Sequence, residues 1–458
     1  MTDIESVQKY IEEHQERFQR ELVELLQIPS VSTEPSCKEE VARAASWVAD
    51  NLRKAGLEVE VVETEGHPIV HGWWSGAPGQ PTALVYGHYD VQPPEPLEDW
   101  VSGPFEPTVR DGNLYARGAT DDKGQMFTHM KSVEAWIQAT GSLPINLHLV
   151  IEGEEEIGSP HLPAFLESRR ADLTCDCAVV SDTAQFAPGM PAITYGLKGL
   201  TFYEVTLTGP QRDLHSGVYG GAVGNPANNL ARILADLLDE EGRIQIPGFY
   251  DDCRPLADWE REQFAALPFD EDGFREYVGM DALFGEEGFS TLERKWARPT
   301  CDINGLTAGY QGEGAKTIVP SKATGKVSFR LVPDQDPEAI AAAFCRFVEE
   351  RVRPGVRCEI DSHTGCRAVL VPVDSAYCQA AVRAIEQGFG TPPVFIREGG
   401  SIPIVESFKS ILEVDTLLLG WGQNDDNLHS PNEKFSLADF EKGTRTSAHL
   451  WQELARRE

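Results

Sequence analysis

The sequence predicts an α/β protein, a three-layer α/β sandwich interrupted by an inserted ferredoxin-like domain. Three observations lead there. From about residue 55 to 200, apolar strand-like runs alternate with helical patterns, the signature of a largely parallel sheet. From about residue 200 the order becomes strand, helix, strand, strand, helix, strand, which is that of a ferredoxin-like sandwich. After about residue 370 the α/β character returns, so the economical division is one domain made from 1–198 and 369–458, with 199–368 inserted into it. A chain of 458 residues is long enough for this, at roughly 150 residues per domain.

The elements follow in order. The N-terminal stretch is charged and amphipathic, with Val7, Ile11, Phe18, Leu22 and Leu25 near helical spacing. Strands are expected at "LEVEVVET", "TALVYGHYD", "INLHLVIEG" and "CAVVSD". Between the second and third lies a helix over about 123–139, where Met126, Met130, Val133 and Ile137 repeat at three or four residues. In the inserted region "TFYEVTLTG", "DINGLTAG", "TGKVSFRLV" and "VRCEIDS" read as strands. Its first helix, "NPANNLARILADLLDE", has Asn225 placed as N-cap and Pro226 at the first helical position, with Leu230, Ile233, Leu234, Leu237 and Leu238 on one face. The segment 242–299, rich in Pro, Gly and acidic residues, has no periodic pattern to fold it by. A helix "SAYCQAAVRAIEQGF" and a strand "DTLLLGWG" belong to the last part.

Charge narrows the function. With 40 Lys+Arg against 73 Asp+Glu, the formal net charge of −33 repels nucleic acid and anionic membrane. No apolar run approaches the roughly 18 residues of a membrane span, and the N-terminus resembles no signal peptide. The nine cysteines are scattered and odd in number, which suits reduced thiols in a cytoplasm.

In open α/β sheets ligands bind beyond the carboxyl ends of the strands, and polar residues cluster just there. In "YGHYDV", His88 and Asp90 face the same way by the period-two alternation of a strand, so the aspartate can reach the imidazole and set its tautomer. Alone, such a histidine is more often structural than a ligand. In "ARGATDDKGQ", Asp121 and Asp122 open a helix, where a carboxylate caps free backbone N–H groups; a loop carboxylate there is equally well placed to ligate a metal, and both readings stand. Glu155 and Glu156 in "EGEEEIGS" and Asp182 in "VVSD" also follow apolar strands, and His429 lies in the loop after "TLLLGWG". Histidines and carboxylates in one domain make an environment of nitrogen and oxygen donors suited to zinc, manganese or cobalt, and unlike a thiolate-rich structural zinc site.

Ten stretches occur in order along nearly the whole chain: "GHYDVQP", "RGATDDKG", "EGEEEIGS", "VVSD", "YGLKG", "DLHSGVYGG", "GAKTIVP", "SFRLVP", "REGGSIP" and "LHSPNEK". Together they resemble the di-metal dipeptidases typified by cytosolic non-specific dipeptidase and carnosinase, members of a clan with aminoacylases, desuccinylases and carboxypeptidases. The resemblance implies two divalent ions per subunit, zinc or manganese, bridged by Asp121 and a water or hydroxide. One ion would also hold His88 and Asp182, the other Glu156 and His429. Glu155 would be the general base and acid, and Asp90 the partner of His88.

The same resemblance makes the inserted region a lid and dimerisation domain of a homodimer. His215 would reach across the interface to stabilise an oxyanion. Arg330 would bind the substrate's C-terminal carboxylate, as a planar bidentate donor does well. The pattern itself leaves Arg330 on the face opposite Val327, Phe329 and Leu331, where the plain alternative is a surface arginine. Thr317 and Ser401 match positions that hold substrate backbone, and His363 in "DSHTG" matches a substrate histidine within surroundings that depart from the pattern. Glu154, where relatives tend to carry an uncharged residue, is expected to be merely solvated; pointing into the site, it would raise the pKa of Glu155.

The expected activity is hydrolysis of dipeptides or short peptides with a free C-terminus in the cytoplasm. The alternative is deacylation of N-acyl amino acids at the same metal site. A non-catalytic protein on this fold would need at least one ligand position lost, and all five, with Glu155, are present.

Overall fold

The apolar stripe of the N-terminus becomes the 24-residue helix Asp3–Leu26, opened by a capping box between Thr2 and Glu5. Val7, Ile11, Phe18, Leu22 and Leu25, the residues picked out by spacing, are its fully buried side chains together with Leu26. This computed structural model describes residues 2–456 of the chain. It divides into two compact units, one taking in the chain up to Tyr195, Val371–Ile396 and Pro403 onward, the other Gly196–Leu370 and Arg397–Ile402.

The first unit is built on a mixed sheet. Its centre is parallel: Asn146–Glu152, Thr82–His88, Cys177–Val180 and Thr416–Gly420 lie side by side in that order. The flanks are antiparallel, with Ile69–Trp74 and Glu58–Val62 on one side and residues 192–194 on the other. The strand Ile69–Trp74 carries no clean alternation and escapes a reading from pattern.

Both faces of the sheet are covered, because successive strand residues point to opposite sides and both sets are apolar. Ala83 and Val85 belong to the core formed with the helices Asp3–Leu26, Lys38–Ala55, Lys123–Thr140, Ala376–Phe389 and Leu437–Ala455. Tyr86 points to the other face and meets the ring of Phe408 edge-on at 5.7 Å. The three layers expected from sequence are therefore present.

The helix Lys123–Thr140 is the buried hub, with every residue from Lys123 to Trp136 inside. Its cations are satisfied internally: Lys123 Nζ donates to the carbonyls of Leu25 and Ile28 at 3.2 and 2.8 Å. No helix among the described residues is long and apolar enough to cross a membrane, and all nine cysteines are free.

The second unit has a four-stranded antiparallel sheet ordered Thr300–Ala308, Lys322–Leu331, Gly199–Thr208, Arg357–Cys366. With the helices Pro226–Ala235 and Pro337–Glu349 on one face, this is the ferredoxin-like arrangement. Asn225 caps the first helix through the amides of Ala227 and Asn228, and Pro226 occupies its first position. That helix ends at Ala235, earlier than its apolar stripe, so Leu237 is buried and Leu238 partly buried from the turn beyond. Residues 242–299 form three short helices, Asp258–Ala266, Glu271–Tyr277 and Thr291–Ala297.

Candidate active site

Four of the side chains picked out from sequence stand at the carboxyl ends of parallel strands. His88 is the last residue of its strand, Asp182 lies two beyond Val180, and Glu155 and Glu156 start a single 3-10 turn after Glu152. A strand end frees the chain to turn while its last residues still point along the sheet, so neighbouring strands deliver polar groups to one crevice.

Asp121 joins them from the turn before the Lys123 helix. Its two oxygens serve different imidazoles: Oδ1 is 3.2 Å from His88 Nε2 and Oδ2 is 2.9 Å from His429 Nε2. His429 Nε2 also lies 3.4 Å from Glu156 Oε2. Two groups of donor atoms result, each within 4.8 Å of one another and sharing Asp121: His88, Asp121 and Asp182, and Asp121, Glu156 and His429.

The N-cap reading of the Asp121–Asp122 pair is corrected. Asp122 occupies the N-cap position without a side-chain cap, because its Oδ2 accepts the backbone N–H of His88 at 3.2 Å instead. Asp90 is placed as expected near His88, with a difference. The imidazole Nδ1 is 3.1 Å from the Asp90 carbonyl and 3.3 Å from its Oδ1, while the carboxylate also accepts the N–H groups of Glu155 and Glu156 at 3.2 and 3.1 Å. One aspartate thus orients the histidine and the turn that carries both glutamates.

Glu154 is corrected as well. It is 3 % exposed, accepts the N–H of His67 at 3.0 Å and pairs with His161 Nδ1 at 2.7 Å. Its carboxylate turns away to pin a neighbouring loop, and the charges acting on Glu155 are chiefly those of His88, Asp121, Asp90 and His429. Glu152, the first acid of the stretch, is buried between the hydroxyls of Tyr86 and Ser159, each at 2.7 Å.

The electrostatics identify what the site lacks. Five carboxylates, of Asp90, Asp121, Asp182, Glu155 and Glu156, gather around two imidazoles. Burial, then the charges of Asp121 and Asp122, pushes Asp182 well above the ordinary carboxylate range. Burial and then Asp121 push Glu156 up to about 8, and burial likewise raises Glu155. Burial opposes ionisation of Asp121 too, yet the hydrogen bond from His429 and the nearby His88 imidazole hold it below its usual value. Buried acids in excess are costly unless cations compensate them.

His88 Nε2 adds a geometric sign. It is fully buried and has no hydrogen-bond partner among the described residues, with Asp121 Oδ1 at 3.2 Å. The donor set, the shared carboxylate, the orphaned nitrogen and the surplus negative charge fit two divalent cations held by nitrogen and oxygen ligands.

A residue missed from sequence is Gln92, whose Nε2 donates to Glu156 Oε2 at 2.7 Å and sets the direction of that carboxylate. It belongs to "GHYDVQP", two positions after Asp90, and that neighbourhood was its only signal.

The remaining candidates lie in the second unit. Val327, Phe329 and Leu331 are fully buried as the alternation requires, and Arg330 on the opposite face donates from Nη1 to Ser401 Oγ at 2.9 Å. The Ser401 hydroxyl in turn bonds the Lys198 carbonyl. His363 sits against the ring of Phe202 at 5.1 Å, across the sheet from Ser328 by way of Phe202, so it shares the face of Arg330. His215 is exposed, its Nδ1 accepting the Gly217 N–H at 3.0 Å, and the carbonyl of Thr317 accepts the N–H of Ser216 at 3.0 Å beside it.

Comparison with known proteins agrees with this geometry. Cys-Gly metallodipeptidase dug1 of Schizosaccharomyces pombe is 33 % identical over 99 % of this chain and 98 % of its own. Human Beta-Ala-His dipeptidase is 31 % identical over 99 % of this chain and 93 % of its own. The solved structure of the di-peptidase Dug1p from Saccharomyces cerevisiae superposes with a TM-score of 0.85 at 30 % identity, covering 99 % of each chain. Residues 84–453 match the description of Peptidase family M20/M25/M40. The chain belongs to that family.

Proposed function

We propose that this protein is a metal-dependent dipeptidase, hydrolysing the peptide bond of dipeptides or short peptides with a free C-terminal carboxylate. The observation that carries the reading is Asp121, whose two oxygens face His88 on one side and His429 on the other, within two donor groups that share it. Its closely similar relatives act on dipeptides by the names they bear. Nothing in the geometry favours N-acyl amino acids instead.

His88, Asp121 and Asp182 would hold one divalent ion, and Asp121, Glu156 and His429 the other, zinc or manganese. Such a pair, when bound, polarises a carbonyl and brings the pKa of water near neutrality. Glu155 takes the proton of the attacking water and returns it to the leaving amine. Its carboxylate makes no protein hydrogen bond among the described residues, and burial raises its proton affinity, as the task requires. Asp90 keeps the His88 ring and the Glu155–Glu156 turn in fixed relation. Arg330 binds the substrate carboxylate with Ser401 oriented by their hydrogen bond, and Thr317 and His363 complete the substrate site.

The catalytic domain comprises 1–198 and 369–458, and the lid and dimerisation domain 199–368, with the short segment Arg397–Ile402 that carries Ser401 packing into the second unit. The working form is a homodimer in the cytoplasm, to which His215 is contributed across the interface. An exposed His215 supports this, as does the edge strand Thr300–Ala308, which leaves Ile303 and Leu306 49 % and 57 % exposed. A panel of dipeptides and N-acetyl amino acids, assayed with zinc or manganese, tests the reading. Turnover of dipeptides is expected; turnover of the acylated substrates alone would replace it with the deacylase.

A further inference from the structure

Glu433 follows His429 by four residues in "LHSPNEK", and no role has been given to it so far. It is fully buried. Its carboxylate accepts four N–H groups: Oε1 takes those of Thr120 and Asp121 at 3.0 and 3.1 Å, and Oε2 takes that of Gly118 at 2.9 Å and Arg117 Nη1 at 2.8 Å. The Glu433 carbonyl also accepts the N–H of Ala116 at 3.1 Å. One side chain therefore gathers the turn that ends in Asp121.

The identity of the donors separates this from an ordinary buried ion pair. Arg117 alone would neutralise the charge; three further donors are backbone groups of the segment that delivers Asp121, while the chain of Glu433 itself delivers His429. A second tie joins the same two loops, the Thr120 hydroxyl lying 2.7 Å from the Lys434 carbonyl and 3.0 Å from Asp426 Oδ2. Only a carboxylate offers about four acceptor sites with no donor, so glutamine in its place would turn an amide N–H against backbone N–H groups.

We propose that Glu433 is a positioning residue of the metal centre, holding the 117–121 turn against the His429 loop so that the two oxygens of Asp121 face His88 and His429. It goes beyond the ligand roles assigned above and rests on the two-ion reading of that site. Glu433 belongs to neither donor group of the site. Its effect is on the register between two ligands that different parts of the chain supply, and so on both ions at once.

The test is a calorimetric titration of the full-length, metal-stripped protein with manganese, followed by electron paramagnetic resonance of the loaded form. For Glu433→Gln, affinity for both ions is expected to fall about 10–100-fold, the usual cost of losing a partner that orients a ligand. The coupled two-manganese signal of the wild type should give way to that of isolated ions. Affinities within about twofold of wild type in the folded variant overturn the proposal. Should Glu433→Gln not fold, Arg117→Met, which keeps the three backbone donors, is expected to lose about tenfold, the low end of that range, and an unchanged affinity there overturns it equally. Wild-type protein that takes up no ion overturns the two-ion reading and this proposal with it; wild-type binding with an indifferent Glu433→Gln overturns this proposal alone.

Discussion

Two clusters of buried charge lie in the first unit, and they behave in opposite ways. Under the helices, Arg17 and Lys131 meet Glu21 and Glu134: Lys131 Nζ is 2.7 Å from Glu134 Oε2 and 2.9 Å from Asn51 Oδ1, and Arg17 Nη1 is 2.8 Å from Glu21 Oε1. Burial alone would raise these two carboxyls, yet the cations beside them, Lys131 foremost, bring both below the usual value. At the strand ends Glu156, Glu155 and Asp182 move the other way, because their neighbours are other acids. The first cluster is complete as the chain makes it; the second calls for cations from outside. Buried charge as such therefore marks nothing, and an unbalanced sum of it marks a site.

The largest expected effect is at the unbalanced cluster. Glu155→Gln should lower turnover about 10²–10⁴-fold, the range for a general acid–base group, while elemental analysis still finds both ions. Turnover near wild type would take Glu155 out of the proton-transfer role. At the balanced cluster, Lys131→Met leaves the partly buried Glu21 and the buried Glu134 with Arg17 as their remaining cation and should cost about 1–3 kcal/mol in urea unfolding. Its metal affinity should be unchanged, and a loss of ion binding there would dissolve the distinction between the clusters.

A smaller effect is expected from His429→Ala, which removes an exposed imidazole from a turn in which Asn427, His429 and Asn432 all have positive φ. Ion affinity should drop at least about tenfold by calorimetry, with unfolding of the metal-free protein unaltered. The smallest is a matter of pH. Between 4.5, the value in the unfolded chain, and about 8, the folded metal-free protein keeps a proton on Glu156 that the unfolded chain has released. The folded state binds more protons there, so this group makes stability fall as pH rises through that window. Glu21 and Glu134 act with the other sign, their stabilisation being present above the unfolded value and lost as pH drops below it. Thermal unfolding of metal-free protein from pH 5 to 8 should show a flatter fall in Glu156→Gln than in wild type; identical slopes would remove Glu156 as the source.

Much of this was legible in the residues. The helix stripe of Val7, Ile11, Phe18, Leu22 and Leu25, the cap at Asn225, the inward alternation around Arg330 and the strand-end placement of His88 and Asp182 all follow from local periodicity, which depends on neighbours within a few positions. The ligand roles came through resemblance of ordered motifs. Glu154 went wrong because its partners, His67 and His161, come from elsewhere in the chain, and a run of glutamates reads as solvated when nothing local opposes it. For Asp122 the residues left a helix cap and a metal ligand both open, and a partner distant in sequence decided against the cap, since its carboxylate accepts the His88 N–H.

By itself the sequence determined the α/β class, the inserted ferredoxin-like order and the inventory of histidines and carboxylates, since these rest on spacing and residue type. Tertiary structure alone decided which acids balance which charges. Glu154, Glu155 and Glu156 are consecutive, yet one pins a loop, one has a carboxylate without a protein hydrogen bond among the described residues and one faces His429 and Gln92. Each direction is set by groups brought from distant parts of the chain, and electrostatic energy depends on distances in space that no local pattern records.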